Sequence, residues 1–284
     1  MSTKHIIHIL SVLLIIVMHT VAAHQTPRAI ALGDGISAIA GSGFGEALSK
    51  NPAGLFPDKS GCIIYYDEGF AIDGYESKGA NFEFAVGKIG FGVFSYDNRA
   101  VLIESPGEET NTNGFCEKKA GIGFAIKNQK ISYGVGIWNY AQNFHLFDST
   151  QLSSISYVAA DFGLQYLKEK MGIGIVVRGI PFLNSRGVDR EVEYCLGLRM
   201  GKVNEIISTV DFTIAKNSIG EYGTIIHGGV ESWLLPNLAV RIGLDYAGMF
   251  TAGIGVGKNK LQFDYAYKAH PAGRTHYLAT SYRF

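Results

Sequence analysis

Residues 261–268 read Leu261-Gln262-Phe263-Asp264-Tyr265-Ala266-Tyr267-Lys268, with a large apolar side chain at every odd position and a small, polar or charged one at every even position. Successive side chains of an extended chain point to opposite faces, so this stretch is a strand with one apolar face and one polar face. The same division separates Leu238, Val240, Ile242 and Leu244 from Ala239, Arg241, Gly243 and Asp245. It recurs in Val192, Tyr194, Leu196 and Leu198 against Glu193, Cys195, Gly197 and Arg199. Each polar face carries a charge in mid-strand, which a dry sandwich core would not tolerate unpaired. The apolar faces are therefore expected to meet lipid and the polar faces a lumen, with a soluble β-sandwich as the competing fold.

Working outward from this stretch, the alternation predicts fourteen antiparallel strands at 61–70, 77–87, 89–99, 119–127, 130–142, 154–168, 170–180, 191–202, 204–214, 221–232, 237–246, 249–257, 260–269 and 275–284. Most reach the roughly 9 to 11 residues that a tilted strand needs to cross a bilayer. Short lysine-bearing turns at 87–88, 127–130, 168–170, 201–204 and 257–260 fall on every second junction, and longer loops at 100–118, 142–153 and 181–190 lie between them. Short turns on one side and longer loops on the other describe an all-β outer-membrane barrel over 61–284. The chain closes with Leu278, Tyr282 and Phe284 on one face and Arg283 on the other.

Composition agrees with this reading. The 284 residues hold 25 Lys and Arg against 25 Asp and Glu, which lacks the basic excess of a nucleic-acid binder. Charged residues make up 18 %, below the usual share of about 25 %, while 47 % hydrophobic content excludes a disordered chain. Residues 1–23 have the build of a secretory signal: Lys4, an apolar run from Ile6 to Val17, then Ala22 and Ala23 before His24. The alternative, a membrane anchor, needs about 20 apolar residues, and His8 and Ser11 interrupt this run. A signal followed by a barrel points to the bacterial outer membrane, with its lipid and its barrel-assembly machinery as general partners.

Local motifs offer little catalytic chemistry. Cys62, Cys116 and Cys195 are an odd number at unrelated spacings, fitting neither a disulfide framework nor a zinc site, and a Cys62–Cys195 pair stays open. No His-x-His, HExxH or Gly-x-Ser-x-Gly pattern occurs, so neither a metal nor a cofactor is expected, and a non-enzymatic role is favoured. His227 and Glu231 share an inward face and, beside a serine, would imitate a hydrolase site; a polar lumen pair is the plainer reading. The other charges expected to face inward carry both signs: Asp161, Asp211, Asp245 and Asp264 against Arg178, Arg199 and Arg241. A lumen so lined closes with salt bridges or passes small polar solutes.

Residues 24–60 do not alternate; Ala, Gly and Ser dominate, and Gly41, Gly43 and Gly45 lack the spacing of a phosphate loop. Arg28-Ala29 with Leu32-Gly33, Ala38-Ile39-Ala40, and Asn51-Pro52-Ala53-Gly54-Leu55 resemble the N-terminal signature of PorV/PorQ-like outer-membrane proteins, which are related to the FadL transporters. Asp264-Tyr265-Ala266-Tyr267 and the terminal Tyr282-Arg283-Phe284 are similar to the last hairpin of that family, and Gly41-Ser42-Gly43 departs from its usual acidic pair. The resemblance implies a fourteen-strand barrel whose segment 24–60 folds inward as a plug carrying Asn51, Pro52, Ala53 and Gly54. Separately, the terminal aromatics Tyr282 and Phe284 on a lipid-facing last strand resemble the signal by which bacterial outer-membrane proteins are recognised for barrel assembly.

Paired glycines recur at 90 and 92, 121 and 123, 134 and 136, 172 and 174, and 253 and 255. Two readings stand, a strip on which the plug docks and a device for barrel curvature. The expected function is a passive outer-membrane conduit or binding barrel for small molecules, hydrophobic ones included. The alternative is an accessory subunit of a secretion or surface-attachment system, with that system's subunits as partners.

Overall fold

The computed structural model describes residues 26–33, 35–40, 46–55, 60–71, 75–105, 108–146, 150–184, 192–202, 204–216, 222–245, 248–270 and 273–284. The expected leader at 1–23 and Gly41-Ser42-Gly43 lie outside them. Fourteen strands follow in order: β1 Gly61–Ala71, β2 Tyr75–Val86, β3 Ile89–Ser105, β4 Glu108–Asn128, β5 Ile131–Leu146, β6 Thr150–Lys168, β7 Met171–Asn184, β8 Glu193–Gly201, β9 Ile206–Lys216, β10 Tyr222–Leu235, β11 Leu238–Leu244, β12 Phe250–Lys258, β13 Leu261–His270 and β14 Gly273–Arg283. Each pairs antiparallel with its sequence neighbours, and β1 pairs with β14 from Gly61↔Arg283 to Ala71↔Gly273, closing the barrel. Closure removes the edge whose amides would find no partner in lipid.

Alternation sets which face looks where. Leu278 is 55 % exposed and Tyr277, its neighbour on the strand, 6 %. The same outward rule holds for Ile64, Phe91, Ile122, Ile137, Ile175, Leu196, Ile242 and Phe263, giving an apolar outer wall. Tyr282 and Phe284 also face outward, and Phe284 stacks on Phe84 with ring centroids 5.6 Å apart.

The strand count matches the sequence expectation, but several strands are longer. β3 and β4 run through most of the expected 100–118 loop, β5 and β6 through most of 142–153, and β7 continues to Asn184. Val101 pairs with Thr112, and such β-branched residues suit extended backbone even beside Asn and Glu, which read as loop. The tight turns at the opposite end hold positive φ at Gly87 (57°) and Asn259 (58°), residues that tolerate that region.

Four of the described ladders shift register, and the β6–β7 seam is one of them. It shifts between Val158 and Ala159 and again across Asp161, near Pro181, which supplies no N–H, and Gly179, which adopts φ 75°. The Asp161 carboxylate accepts the Gly179 N–H at 2.8 Å and so replaces a carbonyl of the ladder. Its other oxygen accepts Trp138 Nε1 at 2.7 Å, which lays the indole across β4. A β-carbon at Gly121 would fall on that ring and on the Ile137 carbonyl.

Overpacking of this kind costs about 1–3 kcal/mol. Gly121→Leu is therefore expected to lower the temperature at which the barrel loses its compact, heat-modifiable mobility in detergent gels. Ile122→Leu, on the lipid face one residue away, is expected to leave it unchanged.

Candidate functional site

The described part of the N-terminal segment lies against inward-facing residues from β3 round to β14. Helix α1 (Pro27–Ala31) begins at Thr26, whose Oγ1 accepts the Ala29 N–H at 3.2 Å, and Pro27 suits the first helical position. The helix points Arg28 at the barrel wall. Arg28 Nε and Nη2 donate to the two oxygens of Glu231 at 2.8 and 3.0 Å, a bidentate pair, and Nη1 reaches Glu46 at 3.3 Å.

Glu231 is shared between segment and wall. Its Oε2 also accepts Arg241 Nε at 2.7 Å, and Arg241 Nη1 continues to Asp264 Oδ1 at 2.5 Å. Trp233 Nε1 donates to Glu231 at 3.2 Å and Gln262 Nε2 to Asp264 at 2.7 Å. These charges are almost wholly buried, so each needs the others. Burial opposes the charge of Arg28, but Glu231 and Glu46 beside it hold its pKa above the ordinary value. Burial raises the pKa of Glu46, against the pull of Arg28 and of the Thr26 hydroxyl, which donates to it at 2.7 Å. A cavity of about 70 Å³ beside the network is lined by Arg28, Glu46, Glu231, Arg241 and Asp264, large enough to hold water.

Beyond α1 the chain crosses the interior. Gly33 turns with φ 63°, and the backbone of Leu32 and Gly33 lies on Gly229 and Gly243. The Ser37 N–H donates to Asp211 at 2.8 Å, and its hydroxyl lies 3.0 Å from Cys195 Sγ. Gln165 Nε2 donates to the Ala40 carbonyl at 3.2 Å. After the short helix α2 (Ala47–Lys50), Asn51 caps a 3-10 turn at Pro52–Gly54: its Oδ1 accepts Ala53 N–H at 3.1 Å, and its Nδ2 donates to Ser37 O at 3.0 Å. The Asn-Pro-Ala-Gly motif is thus a fold-back that ties two parts of the segment together.

The glycine pairs divide by what lies over them. β-Carbons at Gly90 and Gly123 would meet Leu48 and Leu55, at Gly134 the Pro52–Ala53 peptide, at Gly174 Ser37, and at Gly253 Ala31. At Gly92 and Gly121 they would instead meet Phe94 and Trp138, and at Gly255 the Arg241–Asp264 pair. Close approach, by the segment or by a buried ring, accounts for most of the strip.

The sequence-selected lumen residues face inward but do not form one site. Glu231, Arg241 and Asp264 come together. Asp211 sits with Cys195 beneath Ser37, and His227 is buried opposite Asp211 in the β9–β10 register. Asp161 serves Trp138 and Gly179. Arg178 pairs with Glu193 at 3.1 Å, Arg199 donates to the Met171 carbonyl at 3.1 Å, and Asp245 pairs with Lys268 at 2.7 Å. The cysteines are free, with Cys62 on β1 and Cys195 on β8 across the barrel, so the pairing left open does not form. Arg28 as an ion-pair partner, Glu46, Lys119 and Trp138 were not singled out. A charge in an Ala- and Gly-rich stretch was the available signal for the first two.

No family model matches the chain, and no curated protein is similar to it in sequence. The fold is similar to the Pseudomonas putida toluene transporter TodX, at 14 % identity over 92 % of this chain and 99 % of that one, with a TM-score of 0.61. A TodX variant described as a monoaromatic hydrocarbon channel gives 0.64 at 14 % identity over 91 % and 98 % of the two chains. CymD, likewise described, gives 0.59 at 12 % identity over 91 % and 97 %. At such identities the likeness is one of fold.

Removing one partner of a buried ion network costs about 3–5 kcal/mol. Arg28→Met strands Glu46 and half of Glu231's contacts. It is expected to expose residues 26–55 to limited proteolysis, read by mass spectrometry, while the barrel keeps its folded mobility.

Proposed function

We propose that the protein is a passive conduit of the bacterial outer membrane and that residues 26–55 are its plug. The carrying observation is a closed fourteen-strand wall, apolar outside and charged inside, whose interior holds a segment anchored by Arg28 to Glu231. Eight-stranded barrels are filled by their own side chains, and wider ones need an occupant or leave a channel. Here the occupant runs on through the chain into β1 and is otherwise held to the wall by noncovalent contacts. That arrangement suits a stopper that shifts while the wall stays fixed.

The similarity to channels described for toluene and monoaromatic hydrocarbons supports a small, apolar solute. The outward Tyr282 and Phe284 on the last strand suit recognition by barrel-assembly machinery. A second reading follows the PorV/PorQ resemblance: an accessory subunit of a secretion or surface-attachment system. It is favoured by how firmly the Asn51–Gly54 turn and the ion network fix the segment, since a permanently filled barrel serves as a scaffold.

Planar bilayers separate the two. Gly123→Leu would drive a side chain into Leu48 and displace α2, so a conduit is expected to show clearly higher conductance than the parent and faster uptake of toluene into proteoliposomes. A properly folded variant that neither conducts nor takes up solute, purified with a large protein complex, would reject the conduit.

A further inference from the structure

Above the segment, the inner wall of β3–β6 carries a lysine-centred group of aromatic rings that the ion network does not use and that packs in one buried cluster with Ala47, Leu48 and Leu55 of the segment. Phe94, Lys119, Tyr140 and Tyr157 are register neighbours across four strands, and Trp138 lies on the same face of β5 as Tyr140. The Lys119 ammonium stands 3.8 Å from the centroid of the Trp138 ring, 5.0 Å from Tyr140 and 5.6 Å from Phe94. Lys119 is buried, as are all three rings. Among the described residues no carboxylate lies within salt-bridge distance of its ammonium, so the rings are its main compensation.

The cage is built rather than incidental. Phe94 and Trp138 meet edge to face at 5.3 Å, and Tyr140 stacks on Tyr157 at 4.7 Å. Gly92 and Gly121 clear the space that the indole occupies. Trp138 gives its N–H to the Asp161 carboxylate, which enriches the ring's π face toward a cation. Two further acids stand near: Glu117, two residues along β4 on the same face and bonded by Gln142, and Glu83 on β2, which is buried, faces Ser49 of the segment and lies within electrostatic reach of Lys119.

We infer that Phe94, Trp138 and Tyr140 form a binding site for organic ammonium ions inside the barrel, and that the Lys119 side chain occupies it in the solute-free state. The flexible lysine stem lets its ammonium leave the rings for the carboxylates of Glu83 and Glu117. The lysine ammonium gains acidic neighbours, and the entering ammonium inherits the rings. A neutral isostere gains nothing from the ring quadrupoles and does not drive the lysine out. The inference goes beyond the apolar solutes of the conduit reading by naming a second, cationic class, and it rests on that reading only for the route by which solute reaches the lumen. Binding to detergent-solubilised protein and passage through a bilayer are read separately, so either can fail alone.

The chain has two tryptophans, so a Trp233→Phe background leaves Trp138 as the reporter. Choline and its neutral isostere 3,3-dimethyl-1-butanol are titrated against the purified barrel while Trp138 fluorescence is followed. Saturable quenching by choline alone, tightened about tenfold by Lys119→Ala, is the expected result. A folded Lys119→Ala barrel that shows no saturable change, responds equally to the neutral isostere, or binds choline no tighter than the lysine-bearing protein overturns the inference. Should Lys119→Ala fail to assemble, Phe94→Leu in the lysine-bearing protein decides: affinity weakened about tenfold supports the cage, and unchanged affinity overturns it.

Discussion

A sheet in lipid has no water to satisfy a free edge, and that constraint governs the molecule. β1 must find β14, and every strand between must hold its place in one continuous ladder. Closure at fourteen strands then fixes a circumference, and the circumference encloses more volume than wall side chains of this size can fill. The glycines deepen the deficit by leaving parts of the inner wall bare. Two things fill it: the N-terminal segment on the turn side, and a layer of aromatic rings above it.

The two fillers are held by different physics. The segment is fixed by charge-assisted bonds from Arg28 and by backbone lying directly on Gly134, Gly174, Gly229 and Gly243, an arrangement that is specific but cooperative, since each buried charge relies on the next. The aromatic layer is part of the wall, positioned by strand register and by the Trp138–Asp161 hydrogen bond. Asp161 serves both the ring and the broken β6–β7 ladder, so a register shift of the wall and a fully buried ring share one carboxylate.

Much of the wall was legible in the sequence because its signal is local. The alternation of 261–268 and its repeats give strand number, facing and the direction of Glu231, Arg241 and Asp264. Strand ends at 100–118 and 142–153 were not legible, because there extended structure depends on a partner strand rather than on the residue's own preference. The glycine spacing was visible, but not that Gly121 answers to Trp138 while Gly134 answers to Pro52, since those meetings arise only when the sheet curls. Arg28 stands in the N-terminal motif, yet its role depends on a carboxylate far along the chain.

That distance carries a consequence for how the molecule comes to be. Arg28 and Glu231 are 203 residues apart, and Thr251 reaches back 220 residues to the Ala31 carbonyl. The part of the chain that is synthesised early meets its last partners only after strands near the far terminus exist. Long-range contacts form late because closing so large a loop costs entropy that few contacts can offset. Order of synthesis and order of docking are thus reversed. The wall has to be complete around an unsettled leading segment, and a barrel caught before that final step would have every strand in place and its interior still open.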